Sequence, residues 1–325
     1  MIALWGIPGD GPLDAVAASL RQQGAAFALI DQREASRCQA RQRLRSGRAH
    51  LTLKGPEPGQ CLDFDTVGAF YLRPHATSQA LALRDITKRQ ALDQAAQVDQ
   101  ALIQWADLAP SGVVNPPAAM AANHAKPYQL QLIQAMDFEV PPTLVTTEPE
   151  AVREFAALHG RLIYKSVSGV RSIVNMLDDH GLARLDDVAH VPTQFQAWVP
   201  GTDVRVHVVG EAVFATEIVS EANDYRYASK SGYDVALAET RLPSGLAQRC
   251  IRMAAGMGLK VAGIDLRRTP DNHWFCFEVN PSPAFTYYEA ATGQPIAAAI
   301  ARLLMRADAS GAAEPADQIG RLAEL

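Results

Sequence analysis

Apolar and polar positions along this chain follow two periods, and the switches between them outline its elements. Residues 2–5 (IALW) form an unbroken apolar run that ends in the turn GIPGDGP. Residues 13–24 (LDAVAASLRQQG) place apolar side chains at helical spacing and end in Gly24, a helix stop. AFALID follows as a second strand. This strand–helix–strand opening predicts a small α/β domain with parallel strands. HLTL (residues 50–53) and VGAFYLRP (residues 67–74) predict a third strand pair, and an Ala/Gln/Leu-rich helix is expected over residues 85–108. APSGVVNPP (residues 109–117) reads as a domain boundary by composition.

Beyond it, a helix is expected over residues 126–136, then a strand in VPPTLVTT. EPEAVREFAALHG predicts a capped helix with Thr146 or Thr147 at its start. RLIYKSVSGVRSIVNML reads as strand, polar loop, strand. Residues 191–220 alternate strongly and predict two strands around a turn at Gly210. A helix over residues 246–257 precedes KVAGIDLRR, the turn TPDNH and WFCFEVN, which together predict an antiparallel hairpin. A helix over residues 295–305 closes the fold, and the Ala/Glu/Asp-rich remainder is expected to be loosely ordered.

Composition narrows the class. The 325 residues are 48% hydrophobic and 20% charged, an ordinary globular balance. Thirty Lys and Arg against 35 Asp and Glu leave a net charge of −5. That argues against a general nucleic-acid coat, which needs a basic footprint. Cys38, Cys61, Cys250 and Cys276 lack metal-knuckle or redox spacing and are expected to be reduced, buried thiols. The opening MIALWGIPGDGP has neither a basic leader nor a long apolar stretch, and no apolar run approaches the ~20 residues of a membrane span. A cytoplasmic chain without membrane or nucleic-acid partners is expected.

Chemistry concentrates in a few stretches. Glu278 and Asn280 lie two apart in WFCFEVN, so strict alternation puts them on one face with Cys276, and Phe277 and Val279 on the other. Across the expected hairpin lies Asp265. Two carboxylates and an amide oxygen make a hard, all-oxygen set of the kind Mg²⁺ prefers. The competing reading is a polar, solvent-facing side of the hairpin; the residues alone leave both open. Lys165 ends an apolar run before Ser166-Val167-Ser168-Gly169-Val170-Arg171-Ser172, a loop whose N–H and hydroxyl groups suit an anion. Taken alone it reads equally as a polar hairpin loop. Lys126 stands at a helix start, where anions are favoured and a lysine does nothing for the helix dipole. GIPGDG lacks the Lys-Ser/Thr of a nucleotide loop and reads as a turn.

These pieces, in this order, resemble the ATP-grasp superfamily. The ordered set is Lys126 at a helix start, Lys165 before a Ser/Gly loop, Gln196-x-x-x-Pro-Gly-x-Asp203-x-Arg205, Gly263-x-Asp265, and Phe277-Glu278-x-Asn280-Pro-Ser-Pro. NHAKPYQLQLIQAMDFEVPPTLVTTEP is similar to a central segment of RimK-like glutamate ligases and of the graspetide synthetases that macrocyclise ribosomal peptides. YLRPH is similar to a motif that faces between domains in such enzymes.

The resemblance implies an α+β, α/β protein. It would have an N-terminal α/β domain (residues 1–114), a central ATP-grasp lobe (115–195), a C-terminal lobe with the metal site (196–308) and a tail (309–325). It implies ATP between the lobes and Mg²⁺, or Mn²⁺ in its place, on Asp265, Glu278 and Asn280. Lys126 and Lys165 would contact phosphates beneath the loop that includes Ser166, Ser168, Gly169 and Arg171. Gln196, Ala197, Trp198 and Val199 would form an adenine hinge, chiefly through backbone groups, and Asp203 would contact ribose. Relatives often carry an Arg two residues before the first metal Asp; here that position is Gly263. Arg205 and Arg267 are the candidates to replace it.

The implied activity is carboxylate–amine ligation through an acyl phosphate, on a small molecule, a peptide or a protein tail. Arg205, Arg226 and Arg267 are candidates to hold the acyl phosphate or an acidic substrate, with surface ion pairing the alternative for Arg226. Residues 223–232 would cover the acceptor. His207 is either a base for the amine or a satisfied structural histidine, and Ser282 either positions substrate or makes a turn. Phe285, Tyr287 and Tyr288 are expected to pack the lobe. Two rival readings are a kinase-type phosphotransferase and a non-catalytic nucleotide- or peptide-binding module. Relatives are often dimers or tetramers, so a homo-oligomer stays open.

Overall fold

In a computed structural model, residues 1–45, 48–109, 112–121, 125–167, 174–220 and 235–311 are described. Strand β1 (Ile2–Gly6) is buried at every position. A strand covered on both faces belongs in a parallel sheet flanked by helices. Helix α1 (Gly11–Gln22) starts where the Asp10 carboxylate accepts from Leu13 N–H at 3.2 Å, and it leads to β2 (Phe27–Asp31), parallel to β1. Then β3 (Gln39–Arg45), β4 (Arg48–Lys54) and β5 (Cys61–Asp63) form a separate antiparallel sheet. β6 (Ala69–Arg73) returns to pair with β1. Residues 50–53 and 67–74 are therefore not one strand pair. β4 buries only alternate residues, as a one-sided sheet requires, whereas β6 is buried almost throughout. Helices α2 (Thr77–Ala82) and α3 (Arg89–Leu108) replace the single helix expected over residues 85–108. Asp85, with φ of 56°, takes a left-handed turn between them.

β7 (Val113–Val114) closes the parallel sheet, and α4 (Pro117–Met120) and α5 (Lys126–Ala135) lead into the middle of the chain. β8 (Thr143–Thr146), α6 (Pro149–His159), β9 (Leu162–Ser166), β10 (Asn175–Met176), α7 (Asp179–Ala183) and β11 (Thr193–Ala197) follow. The four strands order β10-β9-β11-β8, and Leu162 and Phe195 pack on Val152 of α6. Neither Thr146 nor Thr147 caps α6: Glu148 occupies the cap, and Thr146 Oγ1 accepts the Glu148 N–H at 2.9 Å.

Residues 191–220 hold three strands rather than two: β11, β12 (Thr202–Val209) and β13 (Ala212–Ser220). Pro200-Gly201 breaks them apart. Gly201 has φ of 139°, and a Cβ there would collide with the Arg268 carbonyl. The expected lobe boundary at 195/196 therefore cuts β11, and the sheets separate after it. β14 (Val235–Thr240), α8 (Ser244–Gly256), β15 (Val261–Arg268) and β16 (Trp274–Asn280) complete a sheet of order β14-β13-β12-β15-β16. One face of it (Val204, Val206, Ile264, Val279) packs on Leu246, Cys250 and Met253 of α8 and Ile133 of α5.

Finally, α9 (Thr286–Thr292) leads to α10 (Ile296–Gly311). Ile296, Ile300 and Leu304 of α10 pack with Leu13, Val16 and Leu20 of α1, so the last described helix closes on the first. Each such burial contributes about 1.5–3 kcal/mol. Cys38, Cys250 and Cys276 are buried as expected, but Cys61 is exposed, and all four thiols are free. Among the described residues no helix is long and apolar enough to cross a membrane. Ser168, Gly169, Arg171 and Arg226, residues 223–232 and the tail from 312 lie outside the described residues.

Candidate active site

The hairpin of β15 and β16 sets the geometry. Asp265 stands directly across from Glu278, and Gly263 across from Asn280. Strict alternation fails at one point. Leu266 pairs with Cys276, so Phe277 is an extra residue, a β-bulge beside Asp265. The bulge turns Cys276 away from Glu278 and into the core, where Cys276 and Val279 are both 0% exposed. Burial pushes the Cys276 thiol well above its usual range. Glu278 and Asn280 remain together on the opposite, half-buried side. Asn280 Oδ1 also accepts the Ser282 N–H at 2.9 Å, which fixes the amide and turns the chain at Pro281. Among the described residues no three His, Cys, Asp or Glu side chains form a metal cage by themselves. Two carboxylates and an amide oxygen instead suit a hard divalent cation that completes its shell with water and phosphate oxygens.

The next strand supplies a cation. Arg205 of β12 pairs in register with Asp265, and its Nη1 lies 2.5 Å from Asp265 Oδ1. Its side chain is 7% exposed. Gly263 makes that possible, because a Cβ there would collide with the Arg205 guanidinium and with Pro283. Arg205 thus occupies, from the neighbouring strand, space that only a glycine at 263 leaves. His207, fully buried beyond Arg205, accepts from Arg205 Nε at 3.5 Å and meets the Tyr288 ring edge-on. Burial, then the neighbouring Arg205 charge, holds the imidazole well below its ordinary value. Of the two roles left open for His207, its complete burial and its contact with Arg205 favour the structural one, a support for the guanidinium. Phe285 and Tyr288 pack as expected, whereas Tyr287 is 54% exposed.

Further along the same face, Arg267 is held by Asp203. Nε and Nη2 donate to the two carboxylate oxygens at 2.7 and 2.9 Å, and Nη1 donates to the Val199 carbonyl at 2.9 Å. Arg267 therefore braces Asp203 and the 196–199 segment. In that segment Ala197 N–H donates to the Pro142 carbonyl and Trp198 N–H to the Arg161 carbonyl, each at 2.9 Å, so both donors are committed within the protein. Gln196 is 1% exposed, and its amide donates to Thr143 Oγ1 at 2.9 Å. Lys165 of β9 pairs with Gln194 of β11; it is half-buried, and Ser166 beside it is exposed. Lys126 opens α5, with Pro127 in its first turn.

Two residues outside the sequence-based site join the domains here. Arg73, at the tip of β6, pairs through Nε with Asp10 Oδ2 at 2.5 Å, and its Nη1 donates to Ser282 Oγ at 2.9 Å. Burial works against its charge, and Tyr71 and Asp10 raise its pKa overall. Burial in turn pushes the Tyr71 phenol up to about 12. Asn115 donates to the Val261 and Pro281 carbonyls, both at 2.6 Å, and accepts from the Lys260 and Val261 N–H groups. The signal for Arg73 was the motif YLRPH; Asn115, in a boundary loop, carried none.

Residues 123–304 match the RimK-like ATP-grasp domain. A probable alpha-L-glutamate ligase of Photobacterium profundum is 27% identical over 197 residues, covering 58% of this chain and 65% of that protein. A ribosomal protein bS6–L-glutamate ligase of Salmonella newport is 29% identical over 208 residues, 61% of this chain and 68% of that one. The chain thus spans about two thirds of the length of these curated relatives. The ATP-grasp ligase PsnB, solved with a phosphomimetic variant of its minimal precursor, Mg and ADP, superposes with a TM-score of 0.78 at 26% identity, covering 94% of this chain and 98% of PsnB. With more than half of its length matched, this chain belongs to the RimK-like ATP-grasp family.

Proposed function

We propose that this protein is an ADP-forming carboxylate–amine ligase that uses ATP and Mg²⁺ to make an amide bond on a peptide or protein chain. The observation that carries the reading is the register of Asp265 against Glu278, with Asn280 one step along and Arg205 beside them. PsnB, solved with a precursor peptide and with Mg and ADP, supports the substrate class and the nucleotide.

A carboxylate resists attack by an amine because its leaving group would be oxide. In the proposed reaction a carboxylate oxygen attacks the γ-phosphorus of ATP and ADP leaves. The amine nitrogen then attacks the acyl carbon, the C–O bond breaks, phosphate departs and the nitrogen loses a proton. Mg²⁺, held by Asp265, Glu278 and Asn280, would offset charge on the transferring phosphoryl group. Arg205, fixed by Asp265 and His207, adds a preorganised cation at the same face. Lys126 and Lys165 are the residues proposed to hold phosphates. Asp203, Gln196, Ala197, Trp198 and Val199 would line the nucleoside end, steadied by Arg267.

The test is ADP release across peptides that carry both carboxylate and amine side chains. Release of phosphate with loss of one water mass from the peptide is expected. A stable phosphorylated peptide would mean a kinase, and substrate-dependent turnover that survives Glu278→Ala would remove the metal assignment.

A further inference from the structure

The small antiparallel sheet of the N-terminal domain has no part in the site above, and its charge runs against that of the whole chain. Along β3, Arg41, Arg43 and Arg45 point to one side and are exposed, while Ala40 lies toward the core. Across the register, Arg43 faces His50 and Arg45 faces Arg48. Lys54 extends the same face opposite Gln39. Leu51 and Leu53 on the other side are buried, which fixes which face looks outward.

Several arginines elsewhere have carboxylate partners: Arg33 with Asp31, Arg84 with Glu34, Arg184 with Asp187 and Arg268 with Glu217. Arg241, Arg252, Arg302 and Arg306 have none among the described residues; the hairpin differs in gathering four on one face. Among the described residues no carboxylate pairs with Arg41, Arg43, Arg45 or Arg48. Two carboxylates reach this face among the described residues: Asp65, engaged by His50 at 2.7 Å, and Asp63 of β5, in register with Thr52 and accepting the Asp65 N–H at 3.1 Å. Like charges directly opposite across a ladder are destabilising, so Arg45 against Arg48 costs stability with no return inside the chain. Leu44, between Arg43 and Arg45 but on the reverse side, is 72% exposed, so the hairpin projects beyond its core.

We propose that this hairpin face is a docking surface for an acidic, extended stretch of the polypeptide substrate. The inference rests on the ligase reading, under which the substrate carries carboxylate side chains. Alternate residues of a strand repeat every ~7 Å, so three arginines on β3 match Asp or Glu at alternate positions of an extended peptide. β3 also stands last in its sheet, where an added strand can bond its free backbone edge. Guanidinium groups bind carboxylates through two parallel hydrogen bonds, which adds geometry to charge. A net charge of −5 disfavours a long polyphosphate over a short acidic peptide at so small a patch.

The test uses the full chain, without ATP or Mg²⁺, and a fluorescent peptide alternating Glu with Thr, followed by anisotropy. Binding at low salt that weakens as salt rises is expected. The variant R41Q/R43Q/R45Q/R48Q should bind about tenfold more weakly, the sum of four exposed charge contacts. It should keep the ATP affinity of the parent and unfold at the same or a slightly higher midpoint, since Arg45 and Arg48 no longer repel. Equal peptide binding by parent and variant overturns the docking surface. So does tighter binding of a single-stranded oligonucleotide that the same substitutions abolish, which would make the face a nucleic-acid site. Arginine-dependent peptide binding without ADP release on any peptide keeps the docking surface and removes the ligase reading instead.

Discussion

At the scale of single residues, Gly263 and Arg205 are one feature read from two strands. Gly263→Ala should force the Arg205 guanidinium off Asp265, because the new methyl would overlap its Nη2 and Cζ while the ring of Pro283 on the other side cannot swing away. Overpacking of this kind costs about 1–3 kcal/mol. The loss of a fixed cation should lower kcat about a hundredfold, and a stopped ADP-release assay beside a thermal melt reads both. A kcat within a factor of a few of the parent would mean that Arg205 does not serve the reaction. His207 gives a pH signature. Unfolded, it takes a proton near its ordinary value of 6.5; folded, it resists until well below that. As pH falls through 6.5 only the unfolded chain gains the proton, so stability declines there and is flat above, by up to about 1.4 kcal/mol per pH unit. His207→Asn should remove that extra slope in melts recorded between neutral and mildly acid pH. The chain alone made Arg205 a candidate through its spacing from Asp203, and left His207 open between two roles. Only the cross-strand register, which no single-strand pattern encodes, pairs Arg205 with Asp265 and buries His207 behind it.

At the scale of elements, β16 is the edge strand of its sheet, and its outer edge carries backbone groups that need partners. The Glu139 carbonyl accepts the Cys276 N–H at 2.8 Å, and Gln129 of α5 serves Val279: its amide donates to the Val279 carbonyl at 2.8 Å and accepts the Val279 N–H at 3.1 Å. The residue on either side of Val279 is a candidate metal ligand. Gln129→Ala should therefore cost about 2 kcal/mol through two unmet buried groups and raise the Mg²⁺ concentration needed for half-maximal turnover. A denaturant midpoint together with a Mg²⁺ titration at saturating ATP checks it. A stability loss with an unchanged Mg²⁺ requirement would confine Gln129 to the fold. Period alone made the hairpin, the opening strand–helix–strand and the helix from Lys126 legible. It missed the bulge at Phe277, because aromatic and apolar residues on both sides of Glu278 fit either face. It missed β3, because QARQRLR has almost no apolar side to read. The division of residues 191–220 was hidden because alternation runs through both β11 and β12 and only Pro200-Gly201 marks the break.

At the scale of the whole molecule, the N-terminal domain is bound into the site by α10 against α1, by Asn115 and by Arg73. Arg73 tests whether that union serves chemistry or only shape. Removing it as Arg73→Gln leaves Asp10, 13% exposed, without its cation and frees Ser282 from the hydrogen bond that holds the turn after Asn280. A stranded, largely buried carboxylate costs about 3 kcal/mol or more. Asp10→Asn in the same chain removes that charge and can still accept the Leu13 N–H through its amide oxygen, so the double variant should recover much of the lost stability. Turnover should behave differently. Ser282 N–H is the group that fixes Asn280 Oδ1, and neither substitution restores the guanidinium that pins Ser282 Oγ. The expected pattern is a restored melting midpoint with kcat still depressed about tenfold or more, and an unchanged affinity for ATP measured separately. If kcat returns in step with stability, Arg73 is a structural tie alone. If it does not, the first domain of the chain takes part in aligning the metal strand of the last.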